Sequence, residues 1–284
     1  MTIAITIKVH DGVVIASDSA TTLVENTNVT TVYNNANKIF HLYKSNNNIP
    51  HGLPLGIVTY GLGGIGNSSI STLIKDFRKN LSNGKIEFNP SEYTVLEVAN
   101  KIKEFIYGEQ YSKYFSGTEN PPPLGFILAG YSSNEILAEE YRIEIINGQC
   151  KEPQLIREKE LCGISWGGEG EAVHRLIKGI GMNTLYSLSQ IEISEQRIID
   201  SIKKIIDASE LYLVPPPMPI KDAIDLADFL VTTTINFSRF TFGPPTVGGP
   251  VEIAAITKHE QFKWIQRKLY YDTLLNPDDY VLRI

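Results

Sequence analysis

The chain is 284 residues long with 42% hydrophobic content, enough for a sizeable core, and no linker-like run divides it, so a single domain over residues 1–284 is expected. Its 26 basic and 32 acidic residues are interspersed and leave a formal charge of -6, which offers no basic stripe to nucleic acid and no cationic face to a membrane. No apolar run reaches the roughly 20 residues of a membrane span, Lys8, His10 and Asp11 break any leader-like segment, and Cys150 and Cys162 form neither a disulfide framework nor a paired zinc motif, so the expectation is a cytoplasmic protein without a metal.

At the start of the chain, Ile3, Ile5, Ile7 and Val9 alternate with Ala4, Thr6 and Lys8, a period of two that predicts a half-buried strand. His10-Asp11-Gly12 interrupts it with a glycine suited to positive φ, and Val13 to Ala16 resumes as a second strand, so the pair reads as a β-hairpin. Reversal at the turn makes Thr2 and Asp18 neighbours. If Met1 is removed, Thr2 carries both a hydroxyl and a free α-amine. Such an amine has an ordinary pKa of about 7.7 to 8.0 and takes a proton after a modest downward shift, so one residue supplies nucleophile and base. A plain edge hairpin with Thr2 as one more strand residue is the other reading of the same stretch.

Thr30 to Tyr33 predicts a short β segment and Lys38 to Leu42 an alternating strand. After a turn-rich connection over Asn46 to Gly52 comes a buried strand, Leu55 to Tyr60, which ends in Gly61-Leu62-Gly63-Gly64-Ile65-Gly66. A glycine-rich strand-to-helix junction lets backbone N–H groups approach a ligand, and a helix opening near Asn67-Ser68 adds the positive end of its dipole. With no GxxxxGK[ST] and no ribose-binding acid, no nucleotide cofactor is expected.

Ile70, Leu73, Ile74 and Phe77 mark one helix face, and Leu96, Ala99, Ile102 and Ile106 that of a second, long helix opened by Asn89-Pro90-Ser91. Leu124 to Tyr131 and Glu139 to Ile146 read as strands. Leu161 to Trp166 leads through Gly167-Gly168 to a helix over Val173 to Ile180, with Glu169 and Glu171 at its N-terminus. An amphipathic helix over Ser194 to Ala208, with Glu195 in its first turn, a proline-stiffened connection, a helix over Asp222 to Phe237, a strand over Val251 to Thr257 and a closing helix and tail from His259 complete the order. The five histidines show no ligand spacing, and none is assigned to a metal or to base catalysis.

Thr2, the glycine turn at Gly12, and Asp18-Ser19 after Ala16-Ser17, spaced without a gap, resemble the start of the proteasome β-subunits and the bacterial HslV peptidase, within the N-terminal-nucleophile hydrolases. The resemblance implies an α+β fold, a four-layer α-β-β-α sandwich of two antiparallel sheets between helix layers. It implies that Thr2 is the nucleophile, that Lys38, in a Lys38-Ile39 pair, points its ammonium at the Thr2 hydroxyl with Asp18 as its carboxylate, and that the Gly61 N–H stabilises the oxyanion. Ser19 belongs to the same motif as an auxiliary residue. Where the family carries Gly-Ser-Gly, this chain has Gly167 in the serine position and Ser165 two residues earlier. Where the family carries Ser-Gly-Gly, Gly248-Gly249 match and Thr246 is the nearest hydroxyl.

The implied reaction is cleavage of a peptide bond in a peptide or polypeptide through an acyl ester on Thr2, by a subunit of a homo-oligomeric ring whose ATP-driven partner, if any, is unidentified. A proteasome-like scaffold that assembles without freeing Thr2 is the alternative, and an amidase for small amides differs from the first reading only in pocket shape.

Overall fold

The computed structural model describes residues 2–25, 28–44, 52–190 and 196–272. Met1, most of the turn-rich stretch from Asn46, Glu195 and the tail beyond Asp272 lie outside them. In chain order the main elements are β1 (Ile3–Val9), β2 (Gly12–Ser17), β3 (Thr21–Glu25), β4 (Asn28–Tyr33), β5 (Ile39–His41), β6 (Leu55–Gly61), α1 (Ile70–Ser82), α2 (Val95–Lys103), β7 (Leu124–Gly130), β8 (Glu139–Ile146), β9 (Gly163–Gly168), α3 (Glu171–Lys178), α4 (Met182–Ser189), α5 (Gln196–Ser209), α6 (Ile220–Phe240), β10 (Glu252–Thr257) and β11 (Gln261–Gln266).

These build a mixed α+β structure with two principal antiparallel sheets. One runs β9-β1-β2-β10-β11; the other runs β8-β7-β6-β5 with the short strand Gln149–Cys150 on the outer side of β8. The β1–β2 hairpin forms as its alternation requires, with Ala4 opposite Ser17 and Val9 opposite Gly12.

Three apolar clusters follow from the period of two. Ile3, Ile5, Ile7 and Val9 pack with Ala227, Leu230 and Val231 of α6 and with Val173 of α3. Ala4 and Ile15, on the opposite face, meet Val58 and Ile127 of the second sheet together with Ile256 and Phe262. That sheet's other face, through Ile57, Phe126, Leu128 and Ile143, packs on Leu73 and Phe77 of α1 and on Val98 and Ile102 of α2. Both faces of β1 are therefore covered, and all seven of its residues are buried. The half-buried reading fails because Thr6 and Lys8, polar by type, lie inside on the face away from α6. Burying each large aliphatic side chain contributes about 1.5–3 kcal/mol, so this strand is a principal stabilising element.

Several expectations need correction. Gly12 does not adopt positive φ; it is required by closeness, because a Cβ there would lie 2.4 Å from the Ile256 carbonyl oxygen. A β3–β4 hairpin takes in the predicted Thr30–Tyr33 segment. The second helix starts at the Thr94 cap, whose hydroxyl accepts from Glu97 N–H, and after Lys103 it widens into a π-helical stretch over Glu104–Tyr111. This turns Val95, Val98, Ala99 and Ile102 inward and leaves Leu96 exposed. The closing helix is instead strand β11, paired with β10: Phe262 and Trp264 alternate rather than sharing a helical stripe. The helix α4 was missed, since Met182–Ser189 carries no clear apolar period.

Candidate functional site

The turn at Asp11-Gly12 brings the end of β2 back beside the start of β1, and Asp18 closes the structure there. Its carboxylate is fully buried and has four donors. Oδ1 accepts from Ile3 N–H at 3.0 Å and from Lys38 Nζ at 2.7 Å; Oδ2 accepts from Ala20 N–H and Gly248 N–H, each at 3.0 Å. Three backbone donors and one ammonium compensate its burial, and the same bonds tie together β1, the segment before β5 and the segment before β10.

Lys38 is 5% exposed. Burial pulls its pKa below the ordinary lysine value, and the attraction and hydrogen bond of Asp18 oppose that fall. Its backbone is fixed by β6, whose Thr59 N–H donates to Lys38 O at 3.0 Å. Thr2 is anchored from the other side: its carbonyl oxygen accepts from Glu169 N–H at 2.7 Å, at the end of β9.

Thr2 and Lys38 line one cavity of about 500 Å³, with Thr59, Tyr60, Gly61 and Asn34 among its other walls. Gly61 has φ +89, and a Cβ there would lie 2.5 Å from Pro123 O, so only glycine fits without strain. Along β6 the hydrogen bonds alternate: Thr59 N–H donates toward Lys38, and Leu62 N–H donates to Pro123 O on the opposite side. That alternation turns the Gly61 N–H to the Lys38 side of the strand. A second cavity of about 840 Å³ shares Thr21, Gly61, Leu62, Gly63 and Ser69 with the first, and the two run together as a groove of ligand-binding size.

Of the remaining expected residues, only Thr246 reaches the groove. Ser19 Oγ donates to Pro250 O and accepts from Lys268 Nζ at 2.7 Å. Lys268 in turn lies 2.6 Å from Glu252 Oε2, a buried charge contact off the hydrogen-bond axis. Ser165 pairs with Thr6, three register positions from the Ile3–Gly168 end of β9, and its hydroxyl accepts from Arg157 Nη2. Gly167 makes room for Tyr60: a Cβ there would lie 2.3 Å from the Tyr60 ring, as would one on Gly125. Thr246 lines the second cavity. Among the described residues, no group of His, Cys, Asp and Glu has the arrangement of a metal site.

Sequence reasoning missed Tyr60 and Glu169. The Tyr60 hydroxyl donates to Glu144 Oε1 at 2.7 Å and lies 3.4 Å from Arg142 Nη1, and burial raises its pKa. Its partners are 84 and 82 residues away in sequence, and the only local signal was a tyrosine directly before Gly61. Glu169 looked like a helix-end acid, yet it is its backbone that holds Thr2.

Among solved structures, the chain superposes on the Anbu complex from Pseudomonas aeruginosa, described as a helical assembly, with a TM-score of 0.51 and 13% identity, covering 97% of this chain and 91% of that one. The fold resembles that of an Anbu subunit. Two further Anbu structures give TM-scores of 0.49 at 13% identity: a Gly-1 mutant from Hyphomicrobium sp. strain MC1, covering 98% of this chain and 91% of that one, and the protein from Yersinia bercovieri, described as an ancestral beta-subunit, covering 99% and 98%. No family model matches the chain, and no curated protein matches it.

These findings correct the expected membership of the proteasome β-subunit and HslV family: the superposed Pseudomonas aeruginosa structure is that of an Anbu complex, and neither a family model nor a curated relative supports the narrower assignment. At 13% identity the Anbu likeness concerns the fold alone. Among the described residues no helix is long and apolar enough to cross a membrane.

Proposed function

We propose that this protein is an N-terminal-threonine amide hydrolase, in which removal of Met1 frees Thr2 to cleave peptide bonds. The observation that carries the reading is the meeting of Thr2, Lys38 and Gly61 at one cavity, with the Lys38 ammonium held 2.7 Å from a buried Asp18. The three separate apolar cores support a four-layer α-β-β-α arrangement formed as one domain over residues 1–284. In keeping with the assembly described for the similar Pseudomonas aeruginosa structure, the protein works as a homo-oligomer.

In the proposed reaction the Thr2 hydroxyl attacks the amide carbonyl while the α-amine takes its proton. The Lys38 charge lowers the cost of the developing alkoxide, and the Gly61 N–H, turned to the same side, stabilises the oxyanion. Collapse breaks the C–N bond, the α-ammonium returns the proton to the leaving amine, and an acyl ester remains on Thr2. Water activated by the same amine then hydrolyses the ester. Asp18 acts through Lys38 and through the backbone it holds.

The test is the intact mass and N-terminal sequence of the purified protein, followed by labelling with an epoxyketone that needs both hydroxyl and α-amine. The expected result is a chain starting at Thr2 that takes one equivalent of label, with none taken by Thr2→Ala. A residue retained before Thr2 in every preparation removes the base and leaves an assembling, non-catalytic subunit as the reading.

A further inference from the structure

A feature of another kind is a small cavity of about 50 Å³, bordered by all three residues of β5, whose walls include Lys75, Arg78 and Arg267. In a chain of formal charge -6 this is a local excess of cations. Among the described residues, neither Lys75, Arg78 nor Arg267 has a carboxylate within ion-pair distance. Like charges spread apart on a surface unless something holds them together. Here the scaffold does so. Arg78 Nη1 donates to the His41 carbonyl oxygen at 3.3 Å, and the Arg267 guanidinium lies 4.8 Å from the centroid of the Trp264 ring.

Among the described residues the one carboxylate in the wall, Glu252, does not cancel the excess, because its Oε2 lies 2.6 Å from Lys268. The field is felt by neighbouring groups. Burial and then the charge of Arg267 depress the Arg78 pKa. Burial takes His41 down to about 4 against its bond to the Leu53 carbonyl, with Arg78, Lys44 and Lys263 adding to the fall. His41 is therefore neutral at pH 7 and stacks on Phe262 at 4.6 Å as an apolar wall.

We propose that Lys75, Arg78 and Arg267 form a binding site for a small oxyanion group, a carboxylate or a phosphate. The volume suits such a group: a water occupies about 30 Å³ of liquid, whereas pockets for drug-sized ligands run to about 300–1,000 Å³. The planar guanidinium forks supply paired N–H donors, and Lys75 supplies a mobile ammonium. The site is separate from the Thr2 chemistry, although Asn37 borders both cavities and precedes Lys38 in sequence.

The chain has two tryptophans, and only Trp264 lines this cavity, so Trp166 serves as an internal control. The experiment follows both indole N–H signals by NMR while inorganic phosphate, and separately acetate, is added at constant ionic strength, with Trp264→Phe giving the assignment. The expected result is a saturable shift of the Trp264 signal alone, half-complete at about 1 mM, a free energy of about 4 kcal/mol. It should weaken at least tenfold in Arg267→Gln and Lys75→Gln, two exposed substitutions that leave the core intact. Saturation by phosphate alone identifies a phosphate site; saturation by both identifies a general oxyanion site that accepts carboxylates. No saturation with either anion, equal shifts of both indoles, or a shift unchanged in both variants overturns the proposal. None of these readouts depends on Thr2, so failure here leaves the hydrolase reading untouched.

Discussion

Two buried ion pairs flank the β1–β2 hairpin, and they differ in what their cations face. At the Thr2 end, Asp18 pairs with Lys38, and Lys38 borders an open cavity. Toward the other end, the fully buried Glu140 accepts from Thr6 Oγ1 and lies 3.0 Å from Arg157 Nε, off the hydrogen-bond axis, while Arg157 donates from Nη2 to Ser165. Lys8, close by, places its ammonium on the carbonyl oxygens of Lys159 at 2.8 Å and Glu158 at 3.3 Å. Both clusters combine a carboxylate, a cation and a hydroxyl. In the second the hydroxyls are bound within the cluster itself; in the first the cation shares a cavity wall with Thr2. Composition alone does not mark a candidate site: a cavity that the cation shares with the proposed nucleophile does.

The largest effect that would sharpen this contrast is on catalysis. Lys38→Met is expected to lower kcat/KM for an amide substrate by about 10²–10⁴-fold, the range for losing a group that acts on proton transfer or developing charge. Asp18 keeps its three backbone donors in that variant, so the loss should exceed any loss of fold, as read by denaturant titration alongside the rate. A rate within twofold of wild type would put Lys38 in the structural class with Arg157.

Arg157→Ala should behave in the opposite way. It leaves Glu140 buried without its cation, a change that costs about 3–5 kcal/mol of unfolding free energy. Activity per folded molecule should remain near wild type. A selective loss of rate would break the comparison.

A third effect concerns acid stability. His41 has a folded pKa of about 4 against an ordinary 6.5, so between these values the unfolded chain binds more protons than the folded one. The contribution is fully present above pH 6.5 and is lost as pH falls toward 4, amounting to about 3 kcal/mol. His41→Gln should flatten the pH dependence of unfolding free energy in that window; an unchanged slope would show that His41 charges as readily inside the protein as outside. The smallest expected effect is that of Ser165→Ala, within about twofold on rate, because its hydroxyl serves Arg157. A tenfold loss would bring β9 back into the reaction.

Much of this was legible in the chain itself. The alternation in Ile3–Val9 and the apolar run Val13–Ala16 determined the hairpin, and the hairpin determined that Asp18 returns to the start of β1, because chain reversal leaves no other placement. The helical spacing of Ile70, Leu73, Ile74 and Phe77 likewise settled one packing face of α1. Sequence could not tell β11 from a helix, since Phe262, Trp264 and Ile265 satisfy either pattern over so short a span. Only pairing with β10 decides it. Nor could it tell that Ser165 serves Arg157, that Tyr60 reaches Glu144, or that Lys75, Arg78 and Arg267 share one cavity. Local periodicity reflects which way a side chain points from its own backbone, whereas a site is an agreement among side chains from distant segments, and it exists only once the sheets have stacked.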